Sequence, residues 1–243
     1  MAKKILFTSL KGGVGVTTCC LGIGLALAEA GGRTLIVDGD STCGSALITG
    51  GLANMQVYTL ADYEKGACRA KQTLISHAKS SNLCIMPSVG LADGQVFARA
   101  VGDIDGLFDF ILLDKVHSAP CDEAVIITEP YAPSLKCSDI SRSRLSDGGI
   151  KEIGLIVCKL SGAQILSGEV MSASQISTLL HLPLKGVIPE DLTLSAGKCK
   201  EATLRAYSLS AQILAGEKRK LPDITKPFYG INGYFKRKMR CKI

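Results

Sequence analysis

Five short runs in this chain, TLIVD (34–38), FDFILLD (108–114), AVIITE (124–129), EIGLIVC (152–158) and LKGVIPE (184–190), are apolar at almost every position rather than at every second one. Strands of that kind have no face to offer water, so both sides must be covered, and helices are the usual cover. The stretches between them supply helices. Helical patterns run from Thr17 to Ala30, ending at Gly31-Gly32, and around 59–66, 70–79, 92–103, 135–146, 169–180 and 201–215. KILFTSL (4–10) and LCIMPS (83–88) add two further strands. The expected fold class is α/β with three layers, a mostly parallel twisted sheet with helices on both faces. Residues 1–215 form its body, 216–229 a linker, and 230–243 a basic tail.

One connection is too short for this pattern. Nine residues, KVHSAPCDE (115–123), separate two of the apolar runs. A parallel crossover that contains a helix needs a dozen or more. Nine extended residues reach about 30 Å, enough to run back along a strand but not to place a helix on the way. A helix present in comparable folds is therefore expected to be missing here.

Composition excludes several classes. No apolar run reaches 18 residues, and the N-terminal MAKKILFTSLKGG meets glycines too early for a signal-peptide core, so a cytoplasmic protein is expected. The ten cysteines form no CxxC pair, which points to reduced, buried thiols rather than disulfides or zinc. Charge is uneven along the chain. Lys226, Lys236, Arg237, Lys238, Arg240 and Lys242 fall in 226–243 without an acid, leaving 22 basic residues to balance the 22 acidic ones. A neutral body argues against an extended nucleic-acid groove, and the basic tail calls for an anionic partner.

The chemistry lies in SLKGGVGVTT (9–18), a glycine-rich turn between a strand and a helix. Glycines at 12, 13 and 15 let backbone N–H groups point inward, and the helix N-terminus adds partial positive charge; together these cradle phosphate. Thr17 is placed to offer its hydroxyl to Mg²⁺, with Thr18 beside it. Val16, however, stands where such loops carry a lysine. The stretch Lys11-Gly12-Gly13-Val14-Gly15-Val16-Thr17 resembles the deviant Walker A motif, KGGxGK[ST], of the MinD/ParA family of P-loop ATPases. IVDGDSTCGSALITG (36–50), FDFILLD (108–114), DEAVIITEP (122–130) and LKGVIPEDLTLSAG (184–197) follow in the family's order, nearer its MinD than its ParA members.

The resemblance implies roles. Lys11 matches the signature lysine that reaches a partner's phosphates in an ATP-sandwiched homodimer. Asp40 matches a switch aspartate at the Mg²⁺ shell and the attacking water, with Asp38 supporting it, and Asp114 matches the Walker B carboxylate. Pro189, Glu190 and Asp191 match the segment near adenine. ATP and Mg²⁺ are the implied cofactors. Departures accompany the match. Ser45 and Cys158 replace asparagines, although Lys159 keeps a basic neighbour, and Lys115-Val116-His117-Ser118 replaces the proline and glycine of switch II. His117 is a candidate substitute base. One lost charge-assisted phosphate contact removes roughly 1.5–3 kcal/mol, about 10- to 150-fold in affinity.

INGYFKRKM (231–239) resembles the family's membrane-targeting helix. As a helix it groups Ile231, Tyr234, Phe235 and Met239 on one side, with Lys236 at the margin, Arg237 outside and Lys238 intruding. A disordered basic tail, or one that meets nucleic acid, is the alternative. The expected protein is a MinD-like ATP-binding protein of the division-site or polar-positioning type, with impaired hydrolysis. It would dimerise on nucleotide, bind an anionic membrane peripherally on the inner face, and meet division-site regulators; nucleic acid is not expected. Two other readings stay open: a non-hydrolysing pseudo-ATPase scaffold, and a ParA-like DNA-associated protein.

Overall fold

A computed structural model describes residues 1–42, 44–52, 58–91, 93–194 and 197–229. The tail residues Ile231, Tyr234, Phe235, Lys236, Arg237, Lys238 and Met239 lie outside that set. Eight strands form one sheet in the order β3-β4-β2-β5-β1-β6-β7-β8. They are β1 (Lys3–Thr8), β2 (Thr34–Asp38), β3 (Ile75–His77), β4 (Ser80–Met86), β5 (Phe110–Asp114), β6 (Glu123–Thr128), β7 (Ile153–Leu160) and β8 (Leu184–Pro189). All pairings are parallel except β3 with β4, at one edge.

The described helices are α1 (Val16–Glu29), α2 (Ser45–Thr49), α3 (Leu60–Glu64), α4 (Val96–Ile104), α5 (Ala132–Asp147), α6 (Gly162–Leu166), α7 (Ala173–Leu180) and α8 (Glu201–Leu214). Successive strand residues feed opposite faces. Ile5 and Phe7 of β1 join the layer beneath α1 and α8, while Leu6 joins the layer with Phe97, Leu135 and Ile176 from α4, α5 and α7. The doubly covered, mostly parallel sheet expected from the apolar runs is the one observed.

Three expectations are corrected. Residues 70–79 do not form a helix. They make a short 3-10 turn (Ala70–Thr73) and enter the β3–β4 hairpin, whose half-exposed edge pattern carries no periodicity of its own. The helix expected over 92–103 runs from Val96 to Ile104. The one expected over 169–180 starts at Ala173, where the Ser172 hydroxyl accepts the Gln175 N–H in a capping box.

The short return after β5 carries no helix. It leaves the sheet at Lys115, whose N–H donates to Phe7 O (2.9 Å), and rejoins it where Asp122 N–H donates to Lys4 O (2.9 Å). On the way it buries Val116 and Ala119 against the sheet. Between this return and α5 lies a cavity of about 800 Å³, lined by Thr8, His117, Arg144 and Lys151 among others.

Segment 216–229 lies against the body in its second half. Leu221 and Ile224 pack against the core, and Phe228 sits over α6. A side chain at Gly162 would stand 2.2 Å from Ile224 O, so the close approach requires glycine there.

Candidate functional site

The phosphate loop joins β1 to α1. Gly13 (φ 76°) and Gly15 (φ 102°) adopt left-handed conformations, which an L side chain rarely takes. A Cβ at Gly12, Gly13 or Gly15 would meet nothing within 4 Å, so the space above the loop is open. Gly15 caps α1, and Val16 is its first helical residue. Val14 and Val16 are both buried in the core layer with Phe7, Cys19 and Cys20. The side chain at the position of the missing lysine therefore packs inward.

A cavity of about 620 Å³ opens on this loop. Gly13, Val14, Gly15 and Thr18 line it from one side, Cys158, Lys159, Pro189, Glu190 and Asp191 from another. The structure thus gathers the loop and the β8 segment around one space. Asp191 is already engaged. Its carboxylate accepts from Thr193 N (3.0 Å), Thr193 Oγ1 (2.6 Å), Lys200 N (2.8 Å) and Thr203 Oγ1 (2.9 Å). Burial works against its charge, yet these donors hold its pKa at about 2. Its carboxylate organises the approach to α8.

Beneath the loop, Asp38 and Asp114 end adjacent parallel strands as register partners. Both are fully buried. Asp38 accepts Asp40 N (3.0 Å) and Ala46 N (2.8 Å), with Ser45 Oγ at 3.5 Å. Burial raises its pKa and those backbone donors oppose the rise. Thr17 Oγ1 stands 3.4 Å from Ser45 Oγ. Asp40 is part-exposed, its Oδ1 accepting Thr42 N at 3.0 Å. Asp114 differs: neither carboxylate oxygen has a hydrogen bond of ordinary geometry. Burial pushes its pKa to about 6; the nearby Thr17 hydroxyl and Lys115 lower it, and Asp38 and Asp40 raise it. A buried, unpartnered carboxylate beside a threonine hydroxyl fits a hydrated divalent cation, so Thr17 and Asp114 are the residues that would hold Mg²⁺, with Asp40 at the rim.

The strand ends are brought together by Gly39. Its N–H donates to Asp114 O (2.9 Å), and an added Cβ would stand 2.4 Å from that oxygen and 3.0 Å from Lys115 C. Both are backbone atoms that cannot swing aside. Gly39→Ala is expected to cost about 1–3 kcal/mol of stability in urea unfolding. Unchanged stability would show that the strand ends separate freely.

On the loop's outer side, two ammonium groups share one carboxylate. Lys11 Nζ pairs with Glu129 Oε2, and Lys159 Nζ lies 2.5 Å from Glu129 Oε1 and 2.7 Å from Gly13 O. Burial opposes the Glu129 charge, but the two lysines win and lower its pKa. Its backbone N–H donates to Ser134 Oγ (3.0 Å) at the start of α5. Glu129 was not singled out from the sequence; an acid closing an apolar strand was the only signal, and its nearness to the glycine loop is tertiary. His117 lines the other cavity, its Nε2 3.1 Å from Thr8 Oγ1, and burial lowers its pKa.

Comparison with known proteins agrees with this geometry. A family model described as an AAA domain (AAA_31) matches residues 2–120. A Guillardia theta protein named as a septum site-determining protein MinD is 32% identical over 205 residues, covering 79% of this chain and 76% of that protein. MinD in the Aquifex aeolicus MinC:MinD cell division complex superposes with a TM-score of 0.84 at 26% identity, over 91% of this chain and 99% of that one. MinD of Pyrococcus horikoshii, complexed with Mg-ADP, shares the fold with a TM-score of 0.78 at 24% identity, over 88% of this chain and 96% of that one.

Proposed function

The chain belongs to the MinD family of P-loop ATPases, and on that premise we propose that it is an ATP-binding protein of the division-site-positioning type whose hydrolysis is impaired. One observation carries the reading: the loop keeps its left-handed glycines and an open cavity above them, while Val16 is buried in the core. The backbone cradle is intact and its usual cation is absent. Thr17 and Asp114 would hold Mg²⁺, which when bound neutralises phosphate charge. The chain's own part is to orient the polyphosphate on the loop N–H groups and to enclose the nucleoside between Cys158 and the Pro189–Asp191 segment.

Hydrolysis needs more than binding. Phosphoryl transfer rests on positioning and charge stabilisation around the attacking water. Here the residues after Asp114 run straight back along the sheet, with Val116 committed to the core and His117 bonded to Thr8. On our reading these engagements take both away from the task of orienting the attacking water. The same feature favours the second reading, a non-hydrolysing scaffold that keeps the fold for its surfaces.

Calorimetric titration with Mg-ATP up to millimolar tests the first reading. A Kd of about tens to hundreds of micromolar is expected, a micromolar site less one charged contact. No binding at millimolar ATP sinks it and leaves the scaffold.

Membrane attachment rests on the tail's composition. Each Lys or Arg near an anionic leaflet adds about 1 kcal/mol, and pairing two tails in a dimer raises avidity further. Full-length protein is expected to co-sediment with anionic vesicles and a 1–229 truncation to stay in solution. Salt-sensitive binding to DNA without vesicle binding would overturn this in favour of the ParA-like reading. The MinC partner in the Aquifex complex makes a division regulator of that kind the partner to test first.

A further inference from the structure

We propose that Lys159 supplies, from β7 of the same chain, the phosphate-facing cation that Val16 cannot, and that Glu129 is the anion it exchanges for nucleotide phosphate. This rests on the nucleotide-binding reading above and deepens it.

Position is the first ground. Lys159 lines the cavity that Gly13, Val14, Gly15 and Thr18 also line, and its ammonium group already touches the loop at Gly13 O, 2.7 Å away. Among the described residues, only Lys11 and Lys159 bring an ammonium group to Glu129 beside this loop. Lys11 belongs to the loop itself and matches the residue that serves a partner's nucleotide, so the same-chain role falls to Lys159.

The backbone is the second. The β7–β8 register shifts between Val157 and Leu160, and Lys159 sits within that irregularity at φ 53°. A left-handed conformation is unfavourable for lysine, and such strain persists where it aims a side chain. Cys158 and Leu160 on either side are buried, while Lys159 alone is turned outward.

Charge is the third. Glu129 is almost wholly buried and serves two ammonium groups, so the cluster carries an excess positive charge beside a phosphate cradle. A mere strut to the Gly13 carbonyl would need only a neutral donor. A polyphosphate entering the cavity would offer Lys159 a better counter-anion than a carboxylate already shared with Lys11.

The test is calorimetry on the full-length protein and its Lys159→Met, Lys159→Gln, Lys159→Arg and Glu129→Gln variants, each titrated with Mg-ATP, tripolyphosphate and adenosine. Lys159→Met and Lys159→Gln are expected to weaken Mg-ATP and tripolyphosphate binding about tenfold or more and to leave adenosine unchanged. Lys159→Arg should retain most of the affinity. Glu129→Gln should tighten Mg-ATP severalfold, because it removes the competing anion. Wild-type affinity in Lys159→Gln would show a neutral strut and overturn the proposal. So would equal losses for adenosine and ATP, or an unaltered Kd in Lys159→Met. If the wild type itself binds no Mg-ATP, the nucleotide reading fails and takes this proposal with it. Binding that is indifferent to position 159 fails the proposal alone.

Discussion

With lysine in place of Val16, the protein is expected to bind Mg-ATP about 10- to 150-fold more tightly, the return of one charge-assisted phosphate contact. The loop is ready for it, since Gly13 and Gly15 hold the required backbone turn and nothing crowds the space above them. Some stability is lost in exchange, because Val16 packs in the layer beneath α1, and a lysine there must run its stem out toward the cavity. Turnover is not expected to rise in step. The residues that follow Asp114 bury Val116 and Ala119 along the return and leave no helix in which a switch could move. Tighter binding with turnover still near background would place the lesion in that connection. Unchanged affinity would mean that the loop does not receive phosphate. Brisk hydrolysis would mean that the shortened return suffices and the lysine alone was missing. If Lys159 already provides a cation, Val16→Lys should gain more in a Lys159→Met background than in the wild type, since the two charges serve one anion.

The difference between what the sequence disclosed and what it concealed has a physical pattern. Strands β2, β5, β6, β7 and β8 were legible because burial on both faces demands apolar residues at every position. The helix-free return after β5 was legible too, as a distance, since so short a connection admits only an extended return. The β3–β4 hairpin was not. It is an edge with one exposed face, and its Ser, His and Lys residues fit an amphipathic helix as well as a strand. The carboxylates Asp38 and Asp114 could be placed at strand ends, but their register pairing is a tertiary fact. The Lys11–Glu129–Lys159 cluster was hidden for the same reason. It joins the loop after β1, the end of β6 and a bulge in β7, and no local pattern marks a lysine held at positive φ. Val16 was visible as a departure from a motif, and only the fold shows that it packs as core.

Asp114→Asn is expected to stabilise the protein in Mg²⁺-free buffer while removing its response to Mg-ATP. The wild-type carboxyl is buried with no hydrogen bond of ordinary geometry, only the nearby Thr17 hydroxyl, and its folded pKa is about 6, against about 4 in an unfolded chain. Between those values the folded state holds a proton that the unfolded state has released. Stability from this group is therefore complete below about pH 4, falls as the pH rises through the folded pKa, and is flat above it. At pH 7.5 the protein carries the whole penalty, on the order of 2–3 kcal/mol at 1.36 kcal/mol per pKa unit. A neutral amide of the same shape does not ionise, so the variant should melt roughly 5 °C higher at pH 7.5 in EDTA. That advantage should shrink as the pH is lowered and vanish near pH 4. Mg-ATP should raise the melting temperature of the wild type and not of the variant, because the cation gives the buried charge its partner only when the charge is there. An advantage that persists unchanged at pH 4 would show that the gain comes from packing or hydrogen bonding. A variant less stable at pH 7.5 would show that Asp114 is already satisfied, and the case for a cation at this site would go with it. A penalty of that size is what the proposed Mg²⁺ site predicts, since such a site must keep an ionised carboxylate without a protein partner until the cation arrives.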